Sequence, residues 1–459
     1  MATATTAGEV PGNAVDERGA VLAGLPPGPR APALVQTLAW AVAPTWLMDR
    51  CARRLGDTFT LTFAPSGLKL VLVSDPESVK TVFTAAPELA PSGAGSSPVA
   101  PVMGPSSVIV LTGPEHMRQR KLLLPPFHGE RMREYESVIV EATERDMASW
   151  PLGEPMSLQP RTRAITLEVI LRAVFGVEAE RMGPLRTAIG ELLEPMHTLA
   201  LLRVALRRSG FGRPTGAIAR ALERLDELIY REIAGRREQS DLAERTDILS
   251  LLMQARDEDG QAMTAGELRD ELVTLLLAGH ETTATAVAWA LERLVRNPQK
   301  LERLIEDLDG GGERYLMAVV NETLRVRPVV PIVVRMLTGS LRVGRYELPA
   351  GTRVAPAIYL TNRNPSVYEQ PDDFRPERFL DEGPETFAWI PFGGGIRRCI
   401  GASFAQLEMK LMIRTMLAEL RPSRPPGGRW REGEWVRRRA ITLVPAAGAR
   451  VVWERRRER

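Results

Sequence analysis

The sequence predicts a mainly α-helical chain with small β-sheets (α+β class), folded as one large domain. Three observations predict it. From about residue 115 to 310, apolar residues recur at helical spacing with charges between them, as in Leu222, Leu225, Leu228 and Ile229. Short alternating or apolar runs cluster near the N-terminus, over about 332–362 and over about 440–453, as short strands do. No linker divides the chain after residue 30, and no internal repeat is visible. The length of 459 residues alone would suggest about three domains. The unbroken pattern favours a flexible tail over 1–24 and a single domain over 25–459.

Composition narrows the class. Apolar residues make up 44% and charged residues 25%, which excludes disorder throughout. The net charge of +3 is too balanced to argue for nucleic acid. Two cysteines, Cys51 and Cys399, exclude a disulfide scaffold. The first residues have no basic start and no long apolar core, so they do not read as a signal peptide. Leu34 to Met48 contains Gln36, Thr37 and Pro44 and is shorter than the ~20 apolar residues of a spanning helix. It reads as a packed amphipathic helix. With neither signal nor membrane anchor, a cytoplasmic location is expected, where the cysteines would not pair.

In chain order, Leu25-Pro26-Pro27-Gly28-Pro29-Arg30 is too proline-rich for a helix. Gly56 to Phe63 alternates polar and apolar residues, and Leu68 to Val73 is a second strand candidate. Residues 84–107 are rich in Pro, Ser, Gly and Ala, a long irregular stretch of the kind that serves function. Thr264-Ala265-Gly266-Glu267 is a capping box, and the helix it opens runs to Asn297-Pro298. Its middle, Leu277-Ala278-Gly279-His280-Glu281-Thr282-Thr283, is poor helix design. Either the helix tolerates polar residues there, or it opens locally and presents a hydroxyl and a carboxylate to a cavity.

Phe392-Gly393-Gly394-Gly395-Ile396-Arg397-Arg398-Cys399-Ile400-Gly401 is the most specific segment. Its glycines permit turns that let the backbone approach a flat object. Arg397, Arg398 and a helix starting near Ile400 favour a thiolate at Cys399. Cys51 has no such setting, and no second ligand at zinc spacing accompanies either cysteine.

Phe392-Gly393-x-Gly395-x-Arg397-x-Cys399-x-Gly401 resembles the haem-binding signature of the cytochrome P-450 superfamily. The resemblance covers nearly the whole chain from residue 25. Ala278 to Thr283 resembles the family's oxygen-activating segment, and Glu322-Thr323-Leu324-Arg325 its Glu-x-x-Arg helix. Pro376-Glu377-Arg378-Phe379 resembles the segment that completes that ion-pair triad, and Gly113-x-x-His116-x-x-x-Arg120 the helix at the haem propionates. Glu-x-x-Arg spacing recurs at Glu115/Arg118, Glu130/Arg133 and Glu178/Arg181, where exposed helical pairs are the better reading. Order along the chain singles out Glu322, Arg325 and Arg378.

The resemblance implies the P-450 fold and a haem-thiolate monooxygenase using haem b and O2. Cys399 would be the axial iron ligand. His116, Arg120, Arg335 and Arg397 would meet the propionates, and Phe392, Gly393, Gly395, Gly401, Ala278 and Gly279 would lie against the cofactor. Thr282 would hold dioxygen and its water, and Glu281 would relay protons; His280 is better read as packing, and His128 and His197 as surface or packing residues. Electrons would come from NAD(P)H through a separate ferredoxin or flavodoxin with its reductase, with Arg118, Lys121 and Arg398 as docking candidates. A monomer is expected.

The pocket implied above the haem draws on Val102, Met196, Leu199, Ala278, Val329, Val330, Ile332, Ala440 and Ile441. These small, mostly aliphatic walls suit an apolar substrate such as a terpenoid, fatty acid or steroid. Arg203, Arg207, Arg208 and Arg213 read as a solvated basic helix end rather than a carboxylate trap. The rivals are a peroxygenase or isomerase acting on peroxides, which the Glu281-Thr282 pair argues against, and a haem sensor without turnover.

Overall fold

Thr264 caps the longest element, the helix Ala265–Arg296. Its hydroxyl accepts from the Glu267 N–H, and the Glu267 carboxylate accepts from the Thr264 N–H. The helix runs uninterrupted for 32 residues and stops at Asn297, ahead of Pro298. It is buried along most of its length and packs on the helices Leu158–Phe175, Arg314–Val326 and Ala402–Glu419. One core cluster surrounds it, drawing in Ile165, Val169, Leu276, Leu291, Leu324 and Met412. The computed structural model describes residues 22–93, 100–129, 131–176, 182–193, 216–381, 383–426 and 433–456.

Short strands form small sheets beside this helical body. Thr58–Phe63 pairs antiparallel with Leu68–Val73, which pairs parallel with Arg353–Pro356, which pairs antiparallel with Arg335–Met336. Phe59 faces Leu72 and Leu61 faces Leu70 in register, and all four are buried, so the alternation read from sequence is the core face. The Pro-rich run before them is pinned to the strand: the Thr60 N–H donates to the Pro27 carbonyl and the Thr60 hydroxyl to the Pro26 carbonyl. A Cβ on Gly28 would collide with the Thr60 carbonyl.

The other strands are shorter. Val436–Arg439 and Thr442–Pro445 form a hairpin that reverses at Ala440, φ 51°. Arg450–Arg455 pairs with Pro155–Ser157 and Leu420–Ser423, two strands of three and four residues that carry too little periodicity to be read from sequence. Leu22–Ala23 pairs parallel with Tyr346–Leu348, so the last residues of the expected tail over 1–24 belong to a strand; residues 1–21 lie outside the described residues. Within the irregular 84–107 stretch, Ala100–Met103 forms one helical turn. Among the described residues no helix is long and apolar enough to cross a membrane.

The reading of Leu34–Met48 as a packed amphipathic helix needs correction. Two helices, Ala33–Val42 and Pro44–Leu55, meet at Ala43. In the first, the buried residues are Gln36 and Thr37. Gln36 Oε1 accepts from the Thr62 N–H and Thr37 Oγ1 from the Ala64 N–H, so polar side chains dock the helix on the sheet edge. Trp40 and Ala39 pack partly against the sheet cluster, whereas Leu34, Val35, Leu38 and Val42 point outward. In the second, Leu47, Met48 and Cys51 are buried; burial pushes the Cys51 thiol pKa up, as befits an inert core thiol.

Candidate functional site

The cysteine loop is shaped by close approach to Phe83. A Cβ on Gly394 would strike the Phe83 ring, and one on Gly395 would strike the Phe83 carbonyl. Gly393 and Gly395 have φ of 68° and 65°, left-handed values that suit glycine. The Cys399 N–H donates to the Phe392 carbonyl at 3.0 Å, folding the loop onto itself. The following helix starts at Ala402, two residues later than expected, with Gly401 at its cap. A Cβ on Gly401 would meet no protein atom within 4 Å, so protein packing does not demand glycine there.

The Cys399 side chain is accessible, yet surrounding protein desolvates the thiol and raises its pKa. An accessible atom deep in protein marks the wall of an internal space. The Gly401 N–H, Arg120 and Arg398 oppose the rise by favouring the thiolate.

Three arginines and a histidine gather near this loop from three separate elements: His116 and Arg120 on the helix Gly113–Leu123, Arg335 on its strand, and Arg397 beside the cysteine. Burial, then the charges of Arg397, Arg120 and Arg335, lower the His116 pKa to about 4, so the imidazole is neutral. Burial and the neighbouring Arg335 and Arg120 lower Arg397 to about 10, and burial does the same to Arg335. Among the described residues no carboxylate shares this cluster, and His116 Nδ1 is buried without a hydrogen-bond partner. Arg397 donates to the carbonyls of Val108, Ile109 and Leu111, which fixes its own position. The chemistry asks for a buried anion.

The long helix presents its polar segment without opening. Thr282 Oγ1 donates to the Ala278 carbonyl at 2.7 Å and Thr283 Oγ1 to the Gly279 carbonyl at 3.2 Å. From the helix Leu158–Phe175, Thr166 and Thr162 donate to the carbonyls of His280 and Ala284. His280 is buried, its Nδ1 2.7 Å from the Leu276 carbonyl, a packing role as expected. At Gly279 the missing Cβ would point at Ile170, 3.2 Å away, so glycine there serves helix–helix packing.

Glu281 lies between two arginines that sequence reading missed. Arg163 Nε is 2.7 Å from Oε2, and Arg439, on the hairpin, is 3.7 Å from Oε1. Both come from distant parts of the chain, so no local motif announces them. Glu408, on the helix after the cysteine, was missed for the same reason. It is buried against Thr283, and desolvation raises its pKa to about 8.

The loop after Ala100–Met103 is tied to the long helix by groups that sequence reading also missed. The Ser106 N–H donates to Asp270, the Val108 N–H to Glu271, and Thr274 to Ser107. Arg269 holds Asp226 and Asp270 and donates to the carbonyls of Val102 and Met103. Beside these ties, Met103 packs with Ile109, Val110, Leu193 and Leu277.

The predicted pocket residues divide. Val102 and Val329 are buried in the large helical core. Val330 packs partly against one sheet cluster and Ile332 partly against the N-terminal sheet cluster with Trp40. Ala440 makes the hairpin turn, and Ile441 is exposed. Met196, Leu199, His197 and the four arginines of 203–213 lie outside the described residues. His128 is exposed. Of the docking candidates, Arg118 is spent on Asp257 and Glu267, and Lys121 on Glu258, so neither is a free charge for a partner. Arg398 remains exposed.

Below the site, Glu322 and Arg325 are fully buried and doubly hydrogen-bonded at 2.6 and 2.8 Å. Arg325 also donates to the carbonyls of Asn362, Pro371 and Asp373, and Arg378 stands 3.6 Å from Glu322. Arg118 pairs with Asp257 and Glu267 rather than with Glu115, so Glu115/Arg118 does not repeat this arrangement; Glu130, Glu178 and Arg181 lie outside the described residues.

Taken together, a thiol on an internal wall, a glycine-shaped loop and clustered arginines that no carboxylate among the described residues balances fit a flat anionic group with a thiolate-bound metal. The comparisons agree. The cytochrome P450 family model matches residues 26–434. The chain is 40% identical over 437 residues to cytochrome P450 135B1 of Mycobacterium tuberculosis, covering 93% of this chain and 91% of that protein. It is 40% identical over 440 residues to cytochrome P450 137 of the same organism, at the same coverage. The retinoic acid-bound cyanobacterial CYP120A1 superposes with a TM-score of 0.82 at 24% identity, covering 94% of this chain and all of that one. The haem domain of cytochrome P450DA gives 0.80 at 22% identity, covering 95% and 99%. At such identities the structures speak for the fold, while the family model and the relatives speak for descent: the chain belongs to the cytochrome P450 family of haem-thiolate monooxygenases.

Proposed function

We propose that this chain inserts one oxygen atom of O2, by hydroxylation or epoxidation, into an apolar small molecule such as a terpenoid, fatty acid or steroid. Electrons would arrive from NAD(P)H through a separate ferredoxin or flavodoxin and its reductase, in the cytoplasm, with the chain acting as a monomer. The observation that supports this reading is Cys399, accessible yet desolvated in its glycine-shaped loop, just before a helix that packs on the long helix carrying Thr282 and Glu281.

Haem b, when bound, supplies oxygen activation at an iron whose thiolate ligand pushes electron density toward oxygen. Cys399 would hold the iron. His116, Arg120, Arg335 and Arg397 would neutralise and orient the propionates by charge-assisted bonds. The Thr282 hydroxyl donates its proton to Ala278, which leaves its lone pairs to accept from a water on the substrate side. Arg163 and Arg439 keep the Glu281 carboxylate aimed, so that it can exchange protons with that water. Apolar side chains around Met103, Ile109 and Leu277 would exclude bulk water and favour an apolar substrate.

The test is turnover of a panel of apolar ligands, chosen first by the spectral shift that accompanies loss of the haem-bound water. With a surrogate ferredoxin system, product should require both O2 and NAD(P)H. Product formed from hydrogen peroxide alone, at a rate that the reductase system does not match, would contradict the reading and favour a peroxygenase.

A further inference from the structure

The helix Ala33–Val42 is inside out. Its buried residues are the polar Gln36 and Thr37, whereas Leu34, Val35, Leu38 and Val42 are 55, 51, 47 and 74% exposed. Positions 34, 35, 38 and 42 fall on one helical face. Trp46, 51% exposed on the next helix, extends the patch. Five large apolar side chains on consecutive helices exceed the scattered exposure of an ordinary surface.

The charge around the patch has one sign. From Leu22 through Met48 the chain has no Asp or Glu, and Arg30 is exposed at its edge. Arg50, Arg53 and Arg54 are exposed and share a helical face with Trp46, and the Arg50 guanidinium sits 5.5 Å from the Trp46 ring. The first acid, Asp49, is turned inward and accepts from the Tyr359 hydroxyl at 3.0 Å. Arg437 is exposed on the neighbouring hairpin, and Arg438 covers Trp40.

We propose that this face docks on a bilayer surface rich in anionic phospholipid. Leucine, valine and tryptophan would enter the headgroup–acyl boundary while the arginines meet lipid phosphates. A second copy of the chain fits less well, because face-to-face packing would bring two cationic rims together. The helix packs against Val436, on the hairpin that also carries Arg439 to Glu281, so a docked enzyme would hold the outer end of its site near the lipid in which apolar compounds dissolve. The inference does not depend on the substrate reading.

Co-sedimentation of the haem-loaded full chain with vesicles tests it. Vesicles of equal parts phosphatidylglycerol and phosphatidylcholine should bind the protein at about 0.1 M salt, and pure phosphatidylcholine vesicles about tenfold less well. The double variant Leu38→Asp/Val42→Asp should lose that binding while keeping its absorbance spectrum and melting temperature. Arg50→Gln/Arg53→Gln/Arg54→Gln should weaken it and flatten its salt dependence. Failure of the unmodified protein to bind the anionic vesicles would overturn the proposal. So would binding that both variants retain, or a lipid-free dimer that the Leu38→Asp/Val42→Asp variant dissolves, which would assign the face to a second copy.

Discussion

At Gly395 a missing Cβ decides the course of the loop that ends in Cys399. The backbone there is left-handed, and the space a methyl would need is filled by the Phe83 carbonyl. Gly395→Ala should therefore disturb the thiol's position and destabilise the haem-loaded protein by about 1–3 kcal/mol. Gly401→Ala, where no protein atom is near, should leave the fold's stability unchanged by itself. Comparing the two by thermal melts separates a loop constrained by protein from one constrained by its ligand. Thr282→Ala removes the hydroxyl that bonds Ala278. That variant should still consume NAD(P)H but release hydrogen peroxide in place of product; normal coupling would argue against a proton-handling role. These residues were readable because each lies in a contiguous motif whose chemistry is set by its neighbours in sequence. Arg163 and Arg439 were not, because only folding brings them to Glu281.

Between elements, the Glu322–Arg325 pair fastens the helix Arg314–Val326 to the segment that carries Arg375 and Arg378. Glu322 accepts from the Arg375 N–H at 2.6 Å as well as from Arg325. Burial pushes the Glu322 pKa up, and the Arg325 guanidinium pulls it back. Glu322→Ala strands a buried cation and should cost about 3–5 kcal/mol in chemical denaturation. Thr264→Ala removes one exposed cap and should cost about 1 kcal/mol. Equal losses would mean that the buried pair is not the fastening described. The long helix, its capping box and the main strands were legible, because period and punctuation are local signals. The inverted helix Ala33–Val42 was not. Its apolar period is that of a packed helix, and only the hydrogen bonds of Gln36 and Thr37 to the sheet edge reveal which face is inside.

Across the whole molecule, buried acids set a pH dependence. Desolvation raises Glu408 to about 8 and Glu271 to about 9, well above the ordinary carboxylate value. Each keeps its proton in the folded chain at pH values where the unfolded chain has lost it. Their stabilising contribution is fully present below ~4.5 and is lost as pH rises through the folded-state values. Glu408→Gln should flatten the fall in stability up to about pH 8 and exceed the unmodified protein there. A profile parallel to the original would contradict a protonated Glu408. The domain estimate from length gave way to one helical body because the same long helix touches the cysteine side, the 100–111 segment and the sheets. The claim on which that organisation rests is that Cys399 ligates haem iron as a thiolate. The reduced carbon monoxide complex tests it most directly. The unmodified protein should show the red-shifted Soret band of thiolate ligation, and Cys399→Ser should lose it while retaining its helical content; a Soret band unchanged by that substitution would contradict the account.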